Sequence, residues 1–434
     1  MPPGPLPPAK GFMPLRRRTF SGLLLATIGS TLAVPLFALP KAHVVVIGGG
    51  VAGATIARRL ANAGAGIDVT LIEPNRRYTT PFFSNRSLAG LQSIEMFTHG
   101  YDRLSSKDGI AVVHDRVVDG DPTGKTVRLA GGQTLAYDRL VVCPGTSLLT
   151  SDIEGYTSDS PQVFPHAYDG SSPDQWLLLR RQIQDMDDGG VVIISAPARP
   201  YKCTPAPYER ASLIAGYLKS SKPKSKLLIL DTKVEFPMMD VLIADWENRF
   251  GNLVEWISAD FGGTVSAVDN TARSIRADGE TYTPAVANII PAQRAGAIAA
   301  TLDLVDDSGW CPVNPQTFAS TRHADIHVLG DAIDAGDMPK SASAAHQQAL
   351  SAAVAIVNLV SGSTVPLPEL ENACYFLTQA GRGLVVGGRY RVSNGRIAGV
   401  EGYSSAPGER TEIRQKTAER AEKWYGDVTH DMFG

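Results

Sequence analysis

The sequence predicts an α/β protein with two Rossmann-like dinucleotide-binding domains and a small C-terminal α+β domain. Three observations carry this expectation. The strand-like run His43-Val44-Val45-Val46-Ile47 leads through Gly48-Gly49-Gly50-Val51-Ala52-Gly53 into the helix-like Ala54 to Ala63. A second apolar run, Gly190-Val191-Val192-Ile193-Ile194-Ser195, opens the same pattern later in the chain. A third, from Ala324 to Ala332, reads as a buried strand ending in Gly330-Asp331.

At 434 residues the chain is too long for one ordinary core, and 43% hydrophobic with 20% charged residues is typical of globular protein. Arg17-Arg18-Thr19-Phe20 stands directly ahead of the uncharged apolar run Ser21 to Ala38, the arrangement of a twin-arginine export signal. Residues 1–41 are therefore expected to be a signal peptide and the protein periplasmic, exported already folded around its cofactor. Pro35 and the weak small-residue rule at Phe37-Ala38 leave the cleavage point open, Met13 is an alternative start, and an uncleaved anchor is the alternative to a signal. No later apolar run approaches spanning length, so no stable membrane insertion is expected once the signal is removed. The formal net charge is −3, and residues 1–38 hold Lys10, Arg16, Arg17 and Arg18 with no acid, so the remainder is more acidic still. That balance argues against nucleic acid as a partner.

In the first unit, Gly48, Gly50, Ala52 and Gly53 form the turn and helix start on which a pyrophosphate would rest. Asp68 to Glu73 is a second strand, and Glu73 follows Gly53 by about 20 residues, the spacing of a carboxylate that accepts ribose hydroxyls. Strand, turn, helix and acid together point to a dinucleotide. The strand from Thr134 to Val142 runs into Cys143-Pro144-Gly145-Thr146, with Gly145 expected beside the cofactor.

The second unit has a later strand, Lys226 to Asp231, but its turn, Ala196-Pro197-Ala198-Arg199-Pro200, contains no glycine. Proline removes backbone donors and side chains block close approach, so this copy is not expected to hold NAD. Beyond Gly330-Asp331 a helix is expected from Ser341 to Leu359. After Pro366, Gly383 to Tyr390 and Arg396 to Tyr403 read as a hairpin around Ser393-Asn394-Gly395, followed by a charged helix, Arg410 to Trp424. The expected division is 42–155 with 291–365 for the first dinucleotide domain, 156–290 for the degenerate second domain, and 366–434 for the tail. Four cysteines, Cys143, Cys203, Cys311 and Cys374, permit up to two disulfides in an exported protein, with the pairing open. No metal site is expected, and without a Cys-x-x-Cys-His run the chain cannot attach a c-type haem itself.

Five stretches narrow the reading: Tyr201-Lys202-Cys203-Thr204-Pro205-Ala206-Pro207-Tyr208-Glu209-Arg210, Ala287 to Gln293, Gly309-Trp310-Cys311-Pro312-Val313, Met338-Pro339-Lys340-Ser341, and Asn372-Ala373-Cys374-Tyr375. With them the chain resembles, across nearly all of 42–434, the flavoprotein subunit of flavocytochrome c sulfide dehydrogenase, within the glutathione-reductase-like pyridine nucleotide-disulfide oxidoreductases. The resemblance implies FAD, with Asp331 on the ribityl chain and Lys340 and Ser341 leading a helix that points at the flavin ring. It implies that Cys203 and Cys374 form a redox-active disulfide attacked by hydrosulfide, with Cys374 nearer the flavin and Glu209 as proton acceptor, an exposed ion-paired glutamate being the alternative. Cys143 and Cys311 read more simply as packing residues. It also implies a partner that carries haem c, a cytochrome subunit or soluble cytochrome c. Family members often tether the flavin through a cysteine in Tyr-x-Thr-Cys-x-x-Ser-Asn. Here the segment is Tyr78-Thr79-Thr80-Pro81-Phe82-Phe83-Ser84-Asn85, so FAD is expected to be non-covalent. Competing readings are a sulfide:quinone reductase type of enzyme and an accessory flavoprotein that maintains a periplasmic sulfur-oxidation complex.

The glycine-free second turn generates a direct expectation. The purified holoprotein should oxidise NADH no faster than free FAD does, followed at the nicotinamide absorbance; rapid turnover would mean that the second domain binds NAD after all.

Overall fold

The computed structural model describes residues 42–170 and 172–434; the expected export signal lies outside the described residues. The chain runs through β1 (Ala42–Ile47), α1 (Val51–Ala61), β2 (Ile67–Ile72), α2 (Asn85–Leu88), β3 (Ala111–Val113) and β4 (Arg139–Val142). It continues with β5 (Val191–Ala196), α3 (Ala206–Ser221), β6 (Lys226–Asp231), β7 (Val254–Ile257) and β8 (Val286–Ile289). It returns as β9 (Ile326–Val328) and α4 (Ala342–Val360), then ends in β10 (Glu369–Gln379), β11 (Arg382–Ser393), β12 (Arg396–Ser404) and α5 (Thr411–Phe433).

Two parallel sheets confirm the α/β class. The first has the order β9-β4-β1-β2-β3 and the second β7-β6-β5-β8, every pairing parallel. Val44, Val45, Val46, Val141 and Val142 are fully buried, as expected of strands covered on both faces. The second sheet, β7-β6-β5-β8, repeats the order β3-β2-β1-β4 of the first, which is the internal repeat visible in the sequence. The tail forms an antiparallel sheet, β10-β11-β12, packed against α4 and α5.

Three elements differ from expectation. The single strand foreseen from Thr134 to Val142 is two: Thr134–Ala136 pairs antiparallel in a small separate sheet, and β4 joins the main one. The break falls at Asp138, whose N–H donates to the His43 carbonyl (2.9 Å) and whose carboxylate accepts from the His43 N–H (2.7 Å), bending the chain onto β1. The segment around Cys374 is a strand, β10, that the sequence did not disclose; its register sets Cys374 opposite Val386. The final helix runs past Trp424 to Phe433, because Val428, Met432 and Phe433 are buried in the core of the first sheet. Arg58 donates to the His430 carbonyl (2.6 Å) and Arg59 pairs with Asp431 (2.6 Å), placing cations at the helix C-terminus.

That docking is testable. Met432→Ala should lower unfolding stability by about 2–5 kcal/mol, the range for truncating a buried Leu, Ile or Met, measured by urea titration. A loss near zero would mean that the end of α5 does not pack as described.

Candidate functional site

A cavity of about 470 Å³ lies between the glycine turn after β1, the Gly330-Asp331 turn after β9, the start of α4 and the Cys203 turn. The turn is shaped by contacts that admit no side chain. Gly48 has φ +94, and a Cβ there would stand 2.3 Å from the Cys143 carbonyl oxygen. A Cβ on Gly53 would stand 1.7 Å from the Gly48 carbonyl oxygen, so α1 can close on the turn only with glycine. Gly50 caps α1, and Gly50 and Ala52 line the cavity. Glu73, directly after β2, accepts from the Gly49 N–H (2.8 Å) and from the N–H and side-chain amide of Asn75 (2.9 and 2.8 Å). It therefore holds the turn while forming part of the wall, with a lone pair of Oε2 left for a ligand. Tyr101, which nothing in the sequence singled out, donates to the Gly49 carbonyl (3.0 Å).

On the opposite side Gly330, at φ +81, donates to Gln348 (2.8 Å), and the buried Oδ1 of Asp331 has no hydrogen-bond partner among the described residues. Burial raises the Asp331 pKa, opposed by Lys202 and Lys340. Such an acceptor is satisfied by a hydroxyl, as on a ribityl chain. Ser341 caps the 19-residue α4, accepting from the Ala344 N–H (3.1 Å), and Ser341, Ala342 and Ala345 line the cavity. The helix N-terminus thus faces the site with its partial positive charge. Gly145 completes the wall. Glycine cradle, unsatisfied Asp331 and helix N-terminus together fit FAD. Lys340 stands elsewhere: it donates to the carbonyls of Asp331 (3.0 Å) and Ile333 (2.7 Å) behind the turn, and its ammonium lies 3.6 Å over the Trp310 ring. Burial lowers its pKa to about 8. It is outside the cavity lining and acts on the turn that carries Asp331.

Cys203 lies in the turn between β5 and α3 and lines the cavity; Cys374 comes from β10. All four cysteines are thiols in this structure. Burial raises the Cys203 thiol well above its ordinary value, and negative charge on Cys374, Glu209 or Asp331 raises it further. Burial also raises Cys374, opposed by hydrogen bonding to Ser341 and Asn372. Cys143 and Cys311 belong to the buried core, and burial pushes the Cys311 thiol up to about 12. Among the described residues no group of His, Cys, Asp or Glu is placed to hold a metal ion.

Glu209 is neither exposed nor part of the cavity wall. Its carboxylate accepts from the Asn85 side chain (2.7 Å) and the Leu377 N–H (2.8 Å), joining α3 to α2 and β10, and burial raises its pKa. Arg210 beside it does line the cavity, and donates to Asn85 (3.0 Å), Asn288 (2.7 Å) and the Ala167 carbonyl (2.6 Å). The stretches 201–210 and 287–293 are thus bonded in space. Arg210 was missed as a site residue, although it ended a stretch already singled out.

Three family models match this chain. The central region of the sulfide dehydrogenase [flavocytochrome c] flavoprotein chain matches residues 176–291, its flavin-binding region 366–433, and pyridine nucleotide-disulphide oxidoreductase 42–174. The chain belongs to the flavocytochrome c sulfide dehydrogenase flavoprotein family. By family it is an FAD oxidoreductase. Among curated relatives, the mitochondrial sulfide:quinone oxidoreductase of Mus musculus is 23% identical over 321 residues, covering 70% of this chain and 67% of that protein. The sulfide-quinone reductase of Aquifex aeolicus is 28% identical over 180 residues, 41% of this chain and 39% of that protein. The solved sulfide:quinone oxidoreductase structure from Aquifex aeolicus superposes with a TM-score of 0.67 at 19% identity, covering 90% and 92% of the two chains, a likeness of fold.

Pro81, at the position of the family's tethering cysteine, lines the cavity. Acid precipitation should therefore release the yellow cofactor into the supernatant as free FAD; colour retained in the pellet would show a covalent bond through another residue.

Proposed function

We propose that this flavoprotein oxidises hydrosulfide at a disulfide between Cys203 and Cys374 and passes the electrons to a c-type cytochrome. The observation that supports the reading is that the N–H of Cys203, in the cavity wall, donates to the Lys340 carbonyl (2.8 Å) while the next residue, Ser341, donates to Oδ1 of Asn372 (2.5 Å), two residues before Cys374. FAD, bound without a covalent link by the Gly48–Gly53 turn, Glu73, Gly145, Gly330, Asp331 and Ser341, supplies a two-electron acceptor that can give up its electrons singly. Residues 42–155 and 291–365 would hold it, 156–290 would present Cys203, and 366–434 would supply Cys374.

In the oxidised enzyme, hydrosulfide attacks the Cys203 sulfur; an S–S bond forms to the substrate sulfur as the Cys203–Cys374 bond breaks, leaving a persulfide on Cys203 and a thiolate on Cys374. Ser341, Asn372 and the N-terminus of α4 favour the charge on Cys374 against the burial that opposes it. Glu209, raised by burial and within electrostatic reach of Cys203, is suited to take up the proton that the persulfide loses.

A separate cytochrome is supported by the lack of Cys-x-x-Cys-His and by the glycine-free second turn; a periplasmic location is supported by the twin arginines. The curated relatives favour a second reading in which quinone is the acceptor. Among the described residues no helix is long and apolar enough to cross a membrane, and α5 is highly charged.

Cys203→Ser and Cys374→Ser should each abolish sulfide-dependent bleaching of the flavin, by at least about a hundredfold in stopped flow, while FAD stays bound. Normal bleaching in both would overturn the cysteine chemistry. In the wild type, faster reduction of a soluble quinone than of cytochrome c would decide for the second reading.

A further inference from the structure

Cys203 is held in a conformation that its own side chain disfavours. Its φ is +52, in the left-handed region where a Cβ crowds the backbone, and no glycine stands in the turn to absorb the bend. Four groups hold it. The Cys203 N–H donates to the Lys340 carbonyl (2.8 Å), and its carbonyl accepts from the Ala206 N–H (2.9 Å) at the start of α3. The Tyr168 hydroxyl faces two successive carbonyls, those of Lys202 (3.0 Å) and Cys203 (3.2 Å). On the other side of the turn the Lys202 N–H donates to Oε1 of Gln293 (3.1 Å).

Tyr168 is itself fixed. Its ring is buried with the Arg210 guanidinium 5.7 Å from its centroid, and its N–H donates to Nδ1 of His166 (3.1 Å). Gln293 is buried on the strand Ala292–Ala295, which pairs with Thr146–Leu149. Gln293 thus reaches the turn from a paired strand and Tyr168 from the buried segment 164–168, both far from Cys203 in sequence.

We propose that Tyr168 and Gln293 are positioning residues for the reactive thiol: they keep Cys203 in its left-handed conformation and thereby set the thiol–disulfide equilibrium of the Cys203–Cys374 couple. The inference rests on the redox-active pair proposed above. A turn already ordered in the dithiol loses little freedom when the two sulfurs join, so the disulfide forms readily. Released from its clamps, Cys203 relaxes to negative φ, and closing the bond must order it again. The disulfide then forms less readily and is reduced more easily. A side chain that only fills space would have no such effect, because phenylalanine keeps the ring of Tyr168 and removes only the hydroxyl.

The test uses the FAD-loaded protein, with Tyr168→Phe and Gln293→Leu as separate variants. Each is equilibrated without oxygen in mixtures of reduced and oxidised glutathione, quenched in acid, and its free Cys203 and Cys374 counted by alkylation and mass. In each oxidation the two thiols join, and two electrons and two protons pass to one glutathione disulfide, giving two glutathione molecules. Both variants should shift the equilibrium about tenfold towards the dithiol, about 30 mV for this two-electron couple, with FAD content unchanged. An equilibrium within twofold of wild type in variants that carry full FAD would overturn the inference. If Tyr168→Phe does not load FAD, Gln293→Leu alone decides. If the wild type forms no Cys203–Cys374 disulfide at any ratio, the proposed function falls and this inference falls with it; a normal wild-type disulfide with unshifted variants removes the inference alone.

Discussion

The site depends on the parallel pairing of β9 with β4. Ile326, His327 and Val328 align with Leu140, Val141 and Val142, so the chain that left the first sheet after Val142 re-enters it beside the strand it left. Arg139 and Ala324, bonded at 3.3 Å, are 185 residues apart in sequence. Closing so long a loop costs little more than closing one half as long, about 0.6 kcal/mol per doubling, and the return strand is fully buried. From this pairing Gly330 and Asp331 arrive opposite Gly48, and α4 starts beside them. A Rossmann turn alone would cradle a pyrophosphate; with β9 in place the same sheet also offers the carboxylate and helix terminus that a flavin needs.

The second constraint is a buried polar network between the two halves. Arg210 and Glu209, adjacent on α3, both bond Asn85 of α2; Arg210 continues to Asn288 of β8, and Glu209 to the Leu377 N–H of β10. Every partner is buried, so removal of any one leaves a neighbour unsatisfied at a cost of about 1–3 kcal/mol. The network also fixes where α3 begins, and hence where Cys203 stands, relative to the strand that carries Cys374. Stability and catalytic geometry share these residues, and Glu209 sits buried behind the cavity wall rather than in an exposed ion pair.

The C-terminal helix closes the arrangement from outside. Its end is tied to α1 through Arg58 and Arg59 and to α4 through His346, which lies 3.0 Å from Asp431. Both helices open at the cavity, so α5 braces from behind the two helix termini that face the cofactor.

The sequence by itself determined the local elements and the chemistry attached to them. A Cβ on Gly53 would strike the carbonyl of Gly48 five residues before it, and a short-range constraint of that kind is legible in a string of residues. The apolar runs of β1, β2, β5 and β6 were legible for the same reason, since strands buried on both faces need continuous hydrophobic sequence. The resemblance carried Cys203 and Cys374 as a pair, but β10 alternates too weakly to read as a strand, and only its ladder with β11 places Cys374. Tertiary structure alone decided that Lys340 supports Asp331 from behind, that Glu209 is buried among amides, and that Arg210, Tyr101 and Tyr168 belong to the site. Each of these outcomes turns on partners far away in sequence, and hydrogen bonding between distant segments leaves no periodic trace in the chain.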